Sequence, residues 1–102
     1  MTKRRKQSVE KYHDRVAARY DDSYDDAYWQ WHDAITWDHI KRFLPADQRA
    51  PVLDLGCGTG KWAAKLAKSG FSVTCVDVSR AMLERADSKL AEMGGAGTTF
   101  VH

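Results

Sequence analysis

Apolar positions along this chain fall first at helical spacing and then in short runs that alternate with helices. Val9, Tyr12, Val16 and Tyr20 recur at helical intervals, with Lys11, Asp14, Arg15 and Arg19 around the other side. With Ser8 as N-cap, the spacing predicts a helix over about residues 9–20. A second helix is predicted over about 27–44, and its apolar stripe changes side. Tyr28, Trp31, Ala34 and Ile35 cluster on one face, while Trp37, Ile40 and Leu44 lie roughly opposite. The second half is therefore expected to pack on a sheet and the first half to cover something else. Pro45 ends this helix.

The pattern then shortens. Val52, Leu53 and Leu55 predict a short strand buried on both faces, as a parallel strand between helix layers requires. Pro51 stands at its first residue, where a missing N–H is tolerated. Residues 61–69 form a predicted helix with Trp62, Ala63, Leu66 and Ala67 on one side, and Gly70 suits its C′ position. Phe71, Val73, Cys75 and Val76 make a second strand ending at Asp77. A helix over 80–93 follows, with Met82, Leu83, Ala86, Leu90 and Met93 inward, Ser79 as N-cap and Gly94-Gly95 as its stop. Residues 98–102 begin a third strand. The order is two helices, then β-α-β-α-β, which predicts an α/β chain with a Rossmann-like, doubly wound parallel sheet.

Composition narrows the setting. A chain of 102 residues has room for one small domain. A formal charge of +2 is too slight to indicate a nucleic-acid or membrane partner, and no apolar run is long enough for a membrane span. Cys57 and Cys75 have no C-x-x-C spacing, which makes a reducing cytoplasm the default compartment. Lys3-Arg4-Arg5-Lys6 reads as a frayed, solvated start that could also touch RNA or an acidic partner. Asp21, Asp22, Asp25 and Asp26 lack the glycine and glutamate of a calcium loop, and read as a polar turn feeding acids into the next helix. His32 and His39 have no metal-protease spacing and are placed at the surface or a pocket rim.

Chemistry concentrates in the run VLDLGCGTG, residues 52–60. Gly56, Gly58 and Gly60 allow positive φ and close approach of a ligand to the backbone. Asp54 lies among apolar neighbours, where a carboxylate is costly unless compensated. A cationic or multiply donating ligand group at the strand end is one compensation, and loop N–H groups are another. A dinucleotide fingerprint would want glycine at Lys61, and its pyrophosphate would be repelled by Asp54. Asp77 lies about 20 residues beyond the loop, the spacing at which a strand-end acid meets ribose hydroxyls. It also suits a turn before Ser79. Cys57, near a helix N-terminus, could be a nucleophile, but reads better as a small residue between glycines.

These residues, with VTCVDVSRAML after them, resemble motif I and the acidic second strand of the class I S-adenosylmethionine-dependent methyltransferases. The likeness is nearest to the small-molecule domains that include quinone-biosynthesis enzymes. It implies that the loop (Gly56, Cys57, Gly58, Gly60) holds the methionyl part of the cofactor and that Asp54 meets its amino group. It also implies that Asp77 holds the ribose, that Val78 and Met82 lie beside the adenine, and that the pair Tyr20-Asp21 approaches from the cap. On this reading residues 1–7 are a basic disordered start, 8–46 a helical cap and 47–102 the first half of the cofactor domain.

The resemblance implies methyl transfer to a small-molecule acceptor, with no nucleophile motif required because the sulfonium is already activated. Any general base and most of the acceptor pocket would lie beyond residue 102. A nicotinamide or flavin oxidoreductase fragment and a non-catalytic cofactor-binding or assembly module remain the alternatives. Right-handed crossovers give strand order 3-2-1, which leaves the first strand as an open edge. Self-association through that edge is therefore expected.

Overall fold

The computed structural model describes residues 3–24, 26–94 and 97–102, without side chains for 3–7 and 23–24. Helix α1 (Lys3–Val16) passes into two short 3-10 turns, Ala17–Arg19 and Asp21–Tyr24, and then into α2 (Ala27–Lys41). Strand β1 (Val52–Leu55), α3 (Lys61–Lys68), β2 (Val73–Val76), α4 (Arg80–Glu92) and β3 (Thr99–Val101) follow. The three strands are parallel in the order β1-β2-β3, with Val52 opposite Val73 and Thr74 opposite Thr99. The order is the predicted one.

Four local expectations change. The first helix starts at Lys3, not near Val9, so residues 3–7 are helical rather than disordered. Lysine, arginine and glutamine are all good helix formers, and nothing in the run breaks a helix. The same helix stops at Val16 and reaches Arg19 only as a 3-10 turn. Helix α2 ends at Lys41, short of Leu44, and tightens through i→i−3 bonds from Arg42 N to His39 O and Phe43 N to Ile40 O. Pro45 disfavours α geometry at Leu44, which forces the helix to finish early. Helix α2 is capped by Asp26, whose carboxylate accepts the Trp29 N–H at 2.9 Å. Asp25, also expected in that turn, and Gly95, expected in the stop after α4, lie outside the described residues.

The fourth change concerns β1, which is buried on one face only. Leu53 is 57% and Leu55 72% exposed. Both crossovers turn the same way, so α3 and α4 share one side of the sheet. There Ala63, Leu66, Phe71, Val73, Cys75, Leu83, Ala86 and Leu90 form the core, with Val52 and Phe100 packed against them. Alternation then puts Leu53, Leu55 and Val101 on the bare face.

The split stripe of α2 is explained by the same packing. Trp37 and Leu44 pack against the core, whereas Tyr28 and Trp31 are exposed. Between them, Trp29, His32 and Asp33 turn toward the glycine loop and line a cavity beside it.

Candidate functional site

The loop after β1 is shaped by its glycines and fastened by hydrogen bonds. Gly60 adopts φ +84°, and a Cβ there would come within 3.1 Å of Ala86 Cβ and Leu90 Cδ1. Glycine thus permits both the turn and the close seating of α3 on α4. The N–H groups of Gly56 and Cys57 both donate to Val76 O, at 2.7 and 3.1 Å, and Gly60 N donates to Cys57 O at 3.0 Å. Gly58 N donates to Asp77 Oδ2 at 2.8 Å. Four loop amides are thereby committed to protein acceptors. Those four are not available to a pyrophosphate, which argues against the dinucleotide reading.

Asp54 is left uncompensated. Its Oδ2 is buried and has no hydrogen-bond partner. Burial pushes the Asp54 carboxyl above the usual carboxylate range, and the nearby charge of Asp77 adds to the shift. The loop N–H groups that might have satisfied it point elsewhere. Of the two compensations open to Asp54 in the sequence, the structure lacks the internal one.

Asp77 also has a structural part within the chain. Besides Gly58, it accepts the Ser79 N–H through Oδ1 at 2.8 Å. Its carboxylate therefore ties the end of β2 to the glycine loop and starts the turn into α4. Each oxygen keeps a lone pair for a further donor.

A cavity of about 220 Å³ opens beside the loop, lined by Tyr20, Trp29, His32, Asp33, Gly56–Thr59, Lys61 and Trp62. Tyr20, Gly56, Cys57 and Gly58 thus share this cavity, and His32 stands at its rim. Asp54, on β1 just before the loop, is not among the residues lining the cavity. Its volume is below the ~300–1,000 Å³ of sites that enclose a drug-sized ligand, so only one end of a nucleoside-sized molecule fits inside.

Val78 is half-buried, and its carbonyl lies 2.9 Å from His102 Nε2. Met82 has no exposed surface. The adenine contact expected of Met82 is therefore not available in this arrangement, where the residue is core. Helix α1 covers the start of α4, with Asp14 Oδ1 accepting the Ser79 hydroxyl and the Ala81 N–H. Cys57 is also buried, and burial, followed by the neighbouring Cys75, pushes its thiol up to about 12. It stays protonated and is no nucleophile.

Several site contacts were not foreseen. Asp21 Oδ1 accepts the hydroxyl of Thr59, which is itself buried in the loop, and Oδ2 pairs with Lys89 Nζ at 2.7 Å. Burial works against the Asp21 carboxylate, but Lys89 and Thr59 outweigh it and hold the group below the usual range. Asp33 pairs with Lys61 Nζ at 2.9 Å and lies 3.3 Å from His32 Nδ1. The Tyr-Asp pair hinted at the first of these; nothing in the spacing hinted at the second, because it joins two helices across the cavity.

Comparison with known proteins gives a consistent set. A family model described as a methyltransferase domain matches residues 52–102. The tRNA 5-carboxymethoxyuridine methyltransferase of Escherichia coli is 36% identical over 77 residues, covering 72% of this chain and 29% of that protein. A methyltransferase from Geobacter sulfurreducens, solved with S-adenosylhomocysteine, is 31% identical with TM-score 0.54, over 67% of this chain and 27% of the other. The DhpI complex with the same product is 26% identical with TM-score 0.65, over 93% and 43%. The chain spans between 15% and 29% of the length of the curated relatives it matches.

Proposed function

The chain belongs to the methyltransferase domain family, whose cofactor is S-adenosylmethionine, and from that premise we propose that it is the cofactor-binding part of an enzyme that methylates a small molecule in the cytoplasm. The observation that carries this reading is the buried, unpartnered Asp54 Oδ2 beside a loop whose amides are already committed. An α-ammonium group satisfies that oxygen; a pyrophosphate would be repelled by it.

In this reading residues 47–102 bind the cofactor and residues 8–46 cap it. Asp54 accepts the ammonium, Asp77 adds ribose hydroxyls to the two N–H groups it already holds, and Val78 borders the adenine. Gly56, Cys57, Gly58 and Gly60 keep the backbone close to the methionyl chain, with Tyr20 and the aromatic wall of Trp29 and Trp62 excluding water. The bound sulfonium supplies an activated methyl group. The chain's task is alignment, for which orientation contributes roughly 7–11 kcal/mol in favourable cases.

The Escherichia coli relative is named for a tRNA nucleoside. A net charge of +2 offers no electrostatic footprint for nucleic acid, which favours a small acceptor. The open edge of β1 and its bare leucines support association of this chain with a second copy.

Calorimetry with S-adenosylmethionine, S-adenosylhomocysteine and NAD tests the assignment. The first two are expected to bind and NAD to give no heat of binding. Tighter binding of NAD would overturn the methyltransferase reading.

A further inference from the structure

We propose that Lys61 receives the carboxylate of an amino-acid-bearing ligand at the glycine loop, with Asp33 as the residue that positions it. The proposal rests on the cofactor reading above and adds the group that makes the site selective for a zwitterionic tail. Such a tail brings an ammonium and a carboxylate on one carbon. Asp54 provides for the first. The second needs a cation or free N–H donors.

Four of the loop amides are not open as such donors. Gly56, Cys57, Gly58 and Gly60 donate to Val76, Asp77 and Cys57 itself. Among the residues lining the cavity, Lys61 carries the permanent positive charge. It is the first residue of α3, so its ammonium adds to the positive end of the helix. Its Nζ is held 2.9 Å from Asp33 Oδ2, with the Lys61 side chain 33% and the Asp33 side chain 16% exposed. His32 Nδ1 lies 3.3 Å from the other oxygen of Asp33. A carboxylate only accepts, so Nδ1 carries the proton, and Asp33 is fixed from both sides. The lysine is thereby pre-set at the cavity, and an incoming carboxylate shares it without reorganising the loop.

A plain strap between α2 and α3 would need the same ion pair, so the test must read a ligand group and not stability alone. Calorimetry would compare S-adenosylhomocysteine with its decarboxylated analogue, which keeps the ammonium and lacks the carboxylate. The wild-type chain is expected to prefer the intact ligand at least tenfold. Lys61→Met should reduce that preference to within about threefold, the loss of one charge-assisted contact, and Lys61→Arg should keep most of it. Melting by circular dichroism confirms that each variant is folded. An undiminished preference in Lys61→Met, with S-adenosylhomocysteine still bound, overturns the role of Lys61 and leaves the cofactor reading standing. No binding of either ligand to the wild-type chain overturns the cofactor reading, and this inference with it.

Discussion

Asp77 and Gly58 stand 19 residues apart in the chain and are joined by a 2.8 Å hydrogen bond from the glycine N–H to Oδ2. Through Ser79 N–H on its other oxygen, the same carboxylate fixes the start of α4. The strand-end acid thus shapes the loop whether or not a ligand is present. Asp77→Ala is expected to lose about 1–3 kcal/mol of stability through the loss of these contacts. It should also weaken S-adenosylhomocysteine binding at least about tenfold, which is ~1.4 kcal/mol. Denaturant titration and calorimetry read the two effects separately. Unchanged affinity in a folded variant would reduce Asp77 to a turn residue.

Asp54 predicts the opposite balance. Its buried oxygen has no partner, so the ligand-free fold is burdened by it. Asp54→Asn should raise the stability of the free chain by about 1 kcal/mol, the low end of the cost of an unsatisfied buried polar group. It should also abolish most cofactor affinity. Melting with and without S-adenosylhomocysteine distinguishes the two: the variant melts higher alone and gains little from the ligand. A variant less stable than wild type would show that Asp54 already has a structural partner.

The pH dependence follows from three aspartates that tie the N-terminal helices and α2 to the glycine loop, α3 and α4. The Ser79 hydroxyl lowers the Asp14 carboxyl. Burial opposes ionisation of Asp21 and Asp33, but Lys89 and Thr59 hold the first low, and Lys61 and His32 the second. Folded-state values below the unfolded ones bind fewer protons, so this stabilisation is full above about pH 4 and is lost as pH falls through the lowered values. Asp54, shifted upward, acts in the opposite sense, since its protonation favours the fold. Thermal melts between pH 6 and pH 2.5 should therefore fall with acid. Asp21→Asn should flatten that slope, and an unchanged slope would remove Asp21 from the account.

Gly60 and Gly58 separate packing from backbone strain. Both have positive φ, but a Cβ meets Ala86 and Leu90 at Gly60 and nothing within 4 Å at Gly58. Gly58→Ala is expected to cost roughly 1–2 kcal/mol from the left-handed backbone alone. Gly60→Ala should cost more, about 3 kcal/mol, because α3 must also shift away from α4. Equal midpoints in a urea titration would contradict the close contact at Gly60.

Edge association is read by sedimentation and amide exchange. Leu55 is 72% exposed, so Leu55→Lys leaves the core untouched while placing a charge beside the open strand. It should weaken self-association at least about tenfold, near 1.4 kcal/mol. A wild-type chain that sediments as a sharp monomer, with β1 amides as protected as those of β2, would end the edge-pairing proposal.

Most of the topology was legible in the sequence because it rests on local signals. Strand, glycine turn and helix are encoded within one contiguous stretch, Val52 to Lys68, and the handedness of the crossovers then gives the strand order. Asp54 stood out for the same reason: a carboxylate in an apolar strand is a local anomaly. The face of β1 was misjudged because a run of apolar residues does not state how many of its faces are covered. That depends on where α3 and α4 land, and both land on one side. The reach of α1 back to Lys3 was missed because a polar helix has no stripe to announce it. Only the tertiary structure could decide the partners: Asp21 with Thr59 and Lys89, Asp14 with Ser79, and Asp33 with Lys61. Each pair joins residues distant in sequence, and charge patterning gives no sign of which acid will meet which base once separate elements pack. The sequence by itself determined which residues are capable of holding a cofactor; the packing of the helices decided which were already taken, and left the buried oxygen of Asp54 without a partner.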